Sequence, residues 1–529
     1  VTLKDAAHPA LPETPNAAPP AREIELKLLF AAEDLPKLRG AIAAIAGTKP
    51  VTKTLVTTYF DTHARALLAK RAALRVRQSG ADYVQTLKTE GELTFGMRSR
   101  GEWEMPVKAL APEPSLFLAE EARGLLANID VTTLSPLFTT AFKRQTWHIE
   151  RNASLIEVAL DQGTLTAGER ERPIDELELE LKRGHAADLM RLAEMLAEEF
   201  PLRLGYQSKA AAGYALATGD PPPHKTAPSF TLDPGMTTET AWIAIVDHCL
   251  GHFLDNAACA MDGRSADGVH QCRVAIRRLR SAFSVFGKSL PSAQTGWLRA
   301  EAKWLAGALG PARDLDVFLA DTLAPVEKAF GEEPAFATLR LRLEEARARA
   351  YGDVRHVLCS TRVTRFFLRL NVWLSTRGWR AAASAKALRR LDAPIVDLAQ
   401  AKLDRRLKAV RKAGRGFADL SIEERHVVRI AMKKLRYAGE FFRSLYEKEV
   451  TKPFLKDLAA IQQHLGRLND LAVADALLSR HGADATEAMG RVRGLILGWH
   501  GHAAQANERD LRAAWDEFRA AAPFWRDAR

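Results

Sequence analysis

The residues of this chain best suited to chemistry are charged side chains that alternate with apolar ones. In an extended segment residues two apart share a face. Glu23, Glu25 and Lys27 therefore point one way, while Ile24, Leu26 and Leu28 point the other. The split recurs with Arg75 and Arg77 against Leu74 and Val76, and with Arg100, Glu102 and Glu104 against Trp103 and Met105. It recurs again with Glu157 and Asp161 against Ile156, Val158 and Leu160, and with Glu176, Glu178, Glu180 and Lys182 against Leu177, Leu179 and Leu181. Lys88 and Arg144 sit in similar runs. An antiparallel sheet with one wet face also alternates, but such a face mixes Thr, Ser, Gln and Lys. Here some segments concentrate carboxylates and others ammonium or guanidinium groups. Turned into the lumen of a closed barrel, these charges need a ligand that matches both signs. A metal-bound polyanion does so, because carboxylates hold hard divalent cations through oxygen and Lys and Arg take phosphate oxygens.

A second constellation lies further along. His270, Arg273, Arg277 and Arg280 are spaced i, i+3, i+7 and i+10, one stripe of a helix. His426, Arg429, Lys433 and Arg436 repeat it at an offset of 156 residues, and LGPARDLDV from Leu309 falls on LGRLNDLAV from Leu465 at the same offset. Carboxylates are sparse around the stripes, with Glu423, Glu424 and Glu440 at the edges, so the cations repel one another and an anion is expected between them. Asp314 and Asp470 occupy matched positions after LG, placed to orient the basic side chains, although a helix-pairing role for LG fits as well. Phe283, Phe286, Phe441 and Phe442 follow the apolar period and read as core rather than base-stacking platforms. That favours a phosphate chain over single-stranded nucleic acid.

The elements that must position these residues divide the chain. Its 529 residues exceed what one core supports. Residues 1–21 read as a disordered lead-in, 22–217 as an antiparallel β-rich unit and 218–236 (TGDPPPHKTAPSFTLDPG and its flanks) as a linker. Residues 237–523 read as a helical unit built from two copies of a four-helix bundle, and 524–529 as a tail. Within the first unit, helical patterns are expected only near 33–46, 116–129 and 185–200. The net charge of +11 is uneven: residues 1–220 hold 27 Lys and Arg against 30 Asp and Glu, and the remainder 49 against 35. An anionic partner is therefore expected at the second unit. No apolar run is long enough to span a bilayer, and the N-terminus lacks the apolar core of a secretory signal, so a soluble protein is expected. Cys249, Cys259, Cys272 and Cys359 show no CxxC spacing and suit a reducing compartment. Cys249 with His252, or His270 with Cys272, has metal-ligand chemistry, but small buried helix residues explain them better.

The first unit resembles the CYTH superfamily of triphosphate tunnel enzymes. The resemblance rests on ExExK at Glu23, Glu25 and Lys27, YFDT at Tyr59–Thr62, LRVR at Leu74–Arg77 and TLK ending at Lys88. It also rests on RxExE at Arg100, Glu102 and Glu104, ELELELK around Glu178, and SK at Ser208–Lys209. It implies an eight-stranded antiparallel tunnel that hydrolyses or transfers phosphoryl groups of a triphosphate with Mg2+ or Mn2+. Lys27, Arg75, Arg77, Lys88, Arg144 and Lys209 would grip phosphate, with Arg100 a secondary candidate. Glu23, Glu25, Glu102, Glu104, Asp161, Glu178 and Glu180 would hold metal, directly or through water. The chain has no GxxxxGK[ST] loop and no GxGxxG after a strand, which favours bare inorganic triphosphate over a nucleotide.

The second unit resembles the CHAD domain, a histidine-containing helical domain often fused behind a CYTH domain. The resemblance rests on HxxRxxxRxLR at His270 and HxxRxxxKxLR at His426, each followed by LGxxxD. It implies two pseudo-symmetric four-helix bundles that bind inorganic polyphosphate through His270, Arg273, Arg277, Arg280, His426, Arg429, Lys433 and Arg436, without catalysis of their own. The combined expectation is a divalent-metal-dependent triphosphatase that yields pyrophosphate and phosphate, cytoplasmic or at polyphosphate granules, with a polyphosphate-binding second domain and no membrane partner. Its rivals are a non-catalytic polyphosphate-binding or granule-targeting protein and a hydrolase of nucleoside or thiamine triphosphate.

Overall fold

The structure is a computed structural model and describes residues 23–94, 97–331, 333–482 and 486–526. The expected lead-in lies outside them, as do the side chains of Glu23, Arg100 and Asp470.

The alternating segments form one antiparallel sheet. Its strands are β1 (Glu23–Leu29), β2 (Val51–Asp61), β3 (Ala72–Ser79), β4 (Asp82–Thr89), β5 (Glu92–Thr94), β6 (Met97–Arg100), β7 (Glu102–Val107), β8 (Ser135–Arg151), β9 (Ser154–Ala167), β10 (Arg170–Arg183) and β11 (Arg203–Leu204). The ladder runs β5-β6-β1-β10-β9-β8-β2-β3-β4-β7, with β11 on β1. The chain itself joins one end, β7, to β6, next to the other end. Only Gly101 separates β6, which pairs with β1, from β7, which pairs with β4. Gly101 also exchanges hydrogen bonds with Thr89, its amide reaching the hydroxyl at 3.1 Å and its carbonyl receiving the Thr89 amide at 3.1 Å. Counting β6 and β7 as one interrupted strand, the ring has the eight strands expected.

Leu26, Leu28, Leu74, Val76, Leu87, Ile156, Val158, Leu177 and Leu179 on the outer face are all buried. Helices Leu35–Ala46 and Ala186–Glu199 cover one side, and a separate apolar cluster around Leu74, Leu87, Phe117 and Ala122 covers the other. The charged faces are thereby turned inward.

One element departs from the expectation. Lys209–Thr218 (KAAAGYALAT) is a fourth substantial helix of this unit, and it lies inside the barrel rather than over it. Tyr214 packs edge-on against Phe138, whose side chain shares a face of β8 with Thr140, Phe142 and Arg144. A Cβ at Gly213 would stand 2.0 Å from the Phe138 ring, so only glycine lets helix and strand approach this closely. The segment shows no amphipathic period because barrel wall surrounds it on several sides, which removes the signal that marks surface helices.

The second half is helical throughout its described residues, and the 156-residue offset is realised helix by helix. Thr238–Asp262 corresponds to Ile395–Ala413, and Ala266–Phe286 to Ile422–Phe442. Ser265 and Ser421 cap the latter pair through the amides of Asp267 and Glu424. The third helix differs between copies. In the first it breaks at Leu309 into Ser292–Ala308 and Gly310–Val317, whereas Lys448–His481 runs on unbroken. Pro311, which lacks an amide proton and starts a helix well, stands where the second copy has Arg467. Ala335–Leu358 and Glu487–Ala506 complete the two sets. Phe283, Phe286, Phe441 and Phe442 are buried in the core, and all four cysteines are free.

The halves are in contact. Helix Thr361–Ser375 lies along Ala186–Glu199, with Arg369 on Glu194 and Glu198 at 2.9 Å each, and the Tyr206 hydroxyl donates to the Leu358 carbonyl at 2.9 Å.

Candidate active site

The inward faces of the strands and the enclosed helix line a cavity of about 950 Å3. Glu25, Lys27, Arg75, Arg77, Lys88, Glu102, Glu104, Arg144, Glu178, Glu180 and Lys209 all reach it. Asp161 and Glu176 sit behind that surface, tied to its cations.

Two groupings divide the lumen. In the first, Ser208 accepts the Ala211 amide at 3.1 Å and starts the enclosed helix, so that Lys209 projects from its first turn. A cation is unfavourable at a helix N-terminus; three carboxylates offset it. Lys209 Nζ lies 2.7 Å from Asp161, 2.5 Å from Glu176 and 2.7 Å from Glu178. Arg144 clasps Asp161 through two nitrogens, at 2.7 and 2.6 Å, and reaches Glu178 at 2.5 Å. Lys27 lies 2.8 Å from Glu176 and 3.4 Å from Glu178. Burial alone would raise the Glu178 pKa, but Lys209, Arg144 and Lys27 outweigh it and hold the carboxyl well below its usual range. Burial likewise works against the charged forms of Lys209 and Arg144, and the same carboxylates overcome it and push both pKa values up. Oxygens of Asp161, Glu176 and Glu178 lie within 4.8 Å of one another, a spacing that suits a metal, yet Lys209, Arg144 and Lys27 already occupy them.

The second grouping is less closed. Glu25 stands directly opposite Glu180 across β1 and β10, and Glu180 opposite Glu157 across β10 and β9. Like charges directly opposite are destabilising in a sheet. Lys182 supplies one local cation, 2.7 Å from Glu180 and 3.7 Å from Glu157. Hard oxygen donors in such a row fit a divalent cation. Along the strands β3, β4 and β7, Lys88 pairs with Glu102 at 2.7 Å, Arg75 lies 3.5 Å from the same carboxylate, and Thr86 donates to Glu104 at 3.1 Å. Arg75, burial and Arg144 together push the Arg77 pKa down to about 10. Its Nε is buried without a hydrogen-bond partner among the described residues, as are the hydroxyls of Thr57 and Thr140. An anion placed there would relieve the crowding of cations and satisfy these groups.

Three contributors carry no role in the sequence reading. Glu176 sits on the charged face and holds both Lys27 and Lys209. Tyr59, of YFDT, lines the cavity beside Arg75; burial raises its pKa, and Arg75, Arg77 and Lys209 together more than reverse the effect. Asp61 of that motif is structural. It accepts the amides of Leu67 and Leu68 at 2.9 and 3.1 Å and the Tyr214 hydroxyl at 2.8 Å, fastening the enclosed helix to β2.

In the helical half, burial, Arg313 and Arg277 lower the His270 pKa. Arg273 donates to the Ala306 carbonyl at 3.0 Å and is drawn by Asp314, and a Cβ at Gly310 would come within 3.2 Å of its Nη1. The LG turn thus packs against Arg273 through Gly310 while Leu309 is buried in the core, as the helix-pairing reading of LG expects. Arg313 adds a cation that the sequence stripe does not contain, because it comes from the next helix. Arg277 keeps a buried Nε with no hydrogen-bond partner among the described residues. In the second copy His426 is exposed, while Arg436 bonds to Glu440 at 2.7 Å and to Gln462 at 3.2 Å. Glu440 is therefore a partner of that stripe and not merely at its edge.

The enclosed charged barrel and the duplicated helical half define a two-domain protein, and comparison with known families gives the same division. Residues 21–214 match the CYTH domain and residues 244–479 the CHAD domain. The chain therefore carries a CYTH domain followed by a CHAD domain. An inorganic triphosphatase of Haemophilus influenzae is 36% identical over 199 residues, covering 37% of this chain and 55% of that protein. The chain thus spans about half the length of that relative. An uncharacterized protein of Mycobacterium tuberculosis is 27% identical over 449 residues, 80% of this chain and 84% of that one. The crystal structure of the CHAD domain from the plant Ricinus communis is 31% identical, covers 57% of this chain and 99% of that domain, and superposes with a TM-score of 0.49. No helix of the described residues is long and apolar enough to cross a membrane.

Proposed function

We propose that the barrel hydrolyses inorganic triphosphate to pyrophosphate and phosphate with Mg2+ or Mn2+, and that the helical half binds inorganic polyphosphate. The observation that carries the reading is a single lumen in which crowded guanidinium groups and a row of opposed carboxylates share one cavity. A phosphate chain bridged to a divalent cation complements both. The inorganic triphosphatase among the relatives supports the choice of substrate.

Lys27, Arg144 and Lys209, held in place and neutralised by Asp161, Glu176 and Glu178, form a fixed floor of hydrogen-bond donors, and Arg75, Arg77 and Lys88 grip the chain from the strands β3 and β4. Phosphoryl transfer asks little covalent work of a protein, and prepaid positioning and neutralisation of the phosphate oxygens lower its barrier. Glu25, Glu180 and Glu157, with Glu102 and Glu104 of β7, would hold the cation, which when bound polarises phosphoryl oxygen and makes water more acidic. A carboxylate of that set would accept the proton as water attacks the terminal phosphorus, the bridging P–O bond to that phosphorus breaks, and pyrophosphate leaves. In the helical half, Arg273, Arg277 and Arg313 beside His270 form the stronger anion site of the two copies.

Phosphate release from inorganic triphosphate, ATP and thiamine triphosphate, each with Mg2+ and with EDTA, tests the reading. Metal-dependent release that favours inorganic triphosphate is expected. Preference for ATP or thiamine triphosphate would replace the substrate, and no release from any would leave a binding protein.

A further inference from the structure

A cluster of cations lies outside both stripes of the helical half. Along helix Ile395–Ala413, Lys402, Arg405 and Arg406 are spaced i, i+3 and i+4 and so share one face. Two more cations stand against them: Lys288, just past the end of helix Ala266–Phe286, and Arg390 of helix Ala385–Asp392. Arg390 Nη1 donates to the Lys288 carbonyl at 3.2 Å. Lys402, at the centre, is half-buried; burial, and then Arg406, Arg405, Lys288 and Arg390, push its pKa down to about 8. The carboxylates nearest in sequence are engaged elsewhere or turned away. Asp392 pairs with Arg380, Asp404 with Arg526 and the Trp525 indole, and Asp397 projects about 140° round the helix from Lys402. Among the described residues no carboxylate pairs with any of the five.

Part of the cluster has a structural reason. Lys288 and Arg390 stand at the C-terminal end of helix Ala266–Phe286, where cations are favoured. Arg406 ties three helices together, donating to Ser284 Oγ at 3.3 Å and to the Lys434 carbonyl. Neither reason covers Lys402 and Arg405, which stand mid-helix. Like charges around a half-buried amine disfavour its charged form, and an anion placed among them would restore it. Arg406 also shows where such an anion comes from. Ser284 lies one turn beyond Arg280 on the face of the first stripe, and Lys434 adjoins Lys433 of the second. The cluster therefore begins where the first stripe ends. The helices that carry the two stripes meet nearby, with the rings of Phe286 and Phe442 6.5 Å apart. Both rings are buried and offer no platform for a base, so a phosphate chain fits the cluster better than single-stranded nucleic acid.

We propose that Lys402 and Arg405, with Lys288, Arg390 and Arg406 around them, form a further polyphosphate-binding site that continues the first stripe, so that one long chain spans both. The site rests on the polyphosphate reading of the helical half and extends it to residues outside the repeated motif. From His270 to Ser284 the track runs about 21 Å, well beyond the length of tetraphosphate. A short chain therefore fills only one end.

The test titrates the full chain, in EDTA to silence turnover, with tetraphosphate and with long-chain polyphosphate. Lys402→Met/Arg405→Gln should weaken long-chain binding about tenfold at low salt, and make the slope of log affinity against log salt shallower by about 2, one for each cation removed. Tetraphosphate should bind within about twofold of wild type near physiological salt, where charges beyond about 8 Å are screened. Lys408→Gln/Arg411→Gln removes two exposed cations from the far side of the same helix and should leave both affinities in place. An unchanged long-chain affinity, an equal loss for both ligands, or an equal loss in that control would overturn the site. Should Lys402→Met melt early, Arg390→Gln/Arg405→Gln, both at exposed positions, must show the same length-dependent loss; a constant long-chain affinity there refutes the proposal. Displacement of bound polymer by an oligothymidylate of equal charge as readily as by polyphosphate would overturn the choice of ligand. A wild type that binds no long-chain polyphosphate would instead overturn the polyphosphate reading, and this site with it.

Discussion

The two halves treat positive charge in opposite ways. In the barrel most buried cations are interleaved with carboxylates: Lys209 alone touches Asp161, Glu176 and Glu178. In the helical half Arg273, Arg277 and Arg313 gather around His270 with Asp314 and Asp267 as the acidic counterweights. A preorganised, internally neutralised lumen suits a small substrate that must be held in one geometry, and it resists screening because it is buried. A half-exposed cationic stripe suits a polymer bound by charge in many registers, and salt should weaken it.

The contrast breaks most sharply at Lys209. Replacing it with Met leaves three carboxylates facing only Lys27 and Arg144, so we expect a loss of about 3–5 kcal/mol in stability. Turnover should fall about 100- to 1,000-fold, the usual effect of removing one preorganised charge from a transition state. Denaturant melts and phosphate release measure the two effects. A variant that keeps full stability would show that the barrel's network is not internally neutralised as described.

The helical half should lose affinity without losing its fold. Arg273→Ala/Arg277→Ala in the full chain should weaken long-chain polyphosphate binding about tenfold or more at low salt, and flatten the dependence of log affinity on log salt. Isothermal titration at several salt concentrations, in EDTA to silence turnover, reads both. Equal affinity and an equal slope would remove the stripe from the binding site.

What was legible in the sequence follows the range over which each feature acts. Alternation showed which strand face carries Lys27, Arg75 or Glu178, because a strand's period of two fixes the side of every residue. The 156-residue offset survived as two capped helices beginning after Ser265 and Ser421. Contacts made across elements were hidden. Arg313 reaches the first stripe from the next helix, and Glu176 binds Lys209 from 33 residues away in sequence. The helix Lys209–Thr218 lacked a period because it packs inside the barrel. Lys225 looked like part of a solvated linker because only the fold brings Glu90 and Asp255 to it.

Acid should separate the halves by pH window. Glu176 and Glu178 have folded pKa values below their unfolded ones, since Lys209 leads the attractions that overcome burial. Their contribution to stability is therefore full above the unfolded value, about 4.3, and is lost as pH falls through the lower folded value. His270 is also lowered, by burial and then by Arg313 and Arg277, with Asp267 opposing and Arg273 adding to them, so it folds neutral and disfavours the fold once pH drops below about 6.5. A bound polyanion favours the charged imidazole, so polyphosphate affinity should rise between about pH 7 and 5. His270→Gln should flatten that rise while leaving the acid limb below about pH 4.3 in place, and Glu178→Gln should do the reverse. A single shared window for both variants would mean that the two sites are not electrostatically separate.

The smallest effect compares the two copies of the stripe. Arg436 spends its Nε on Glu440, four residues on along the same helix, whereas Arg280, at the matching position of the first copy, has Ser284 four residues on. Such i,i+4 pairs are worth only about 0.3–0.5 kcal/mol. Glu440→Gln should free Arg436 for the polymer and tighten polyphosphate binding about twofold at low salt, with the gain gone at high salt. Ser284→Glu, which installs the same carboxylate beside Arg280, should weaken binding by a similar factor. If both changes leave affinity untouched, the carboxylate at that position is not what makes the second stripe the weaker one, and Arg313, which the second copy replaces with Asn469, becomes the difference that matters.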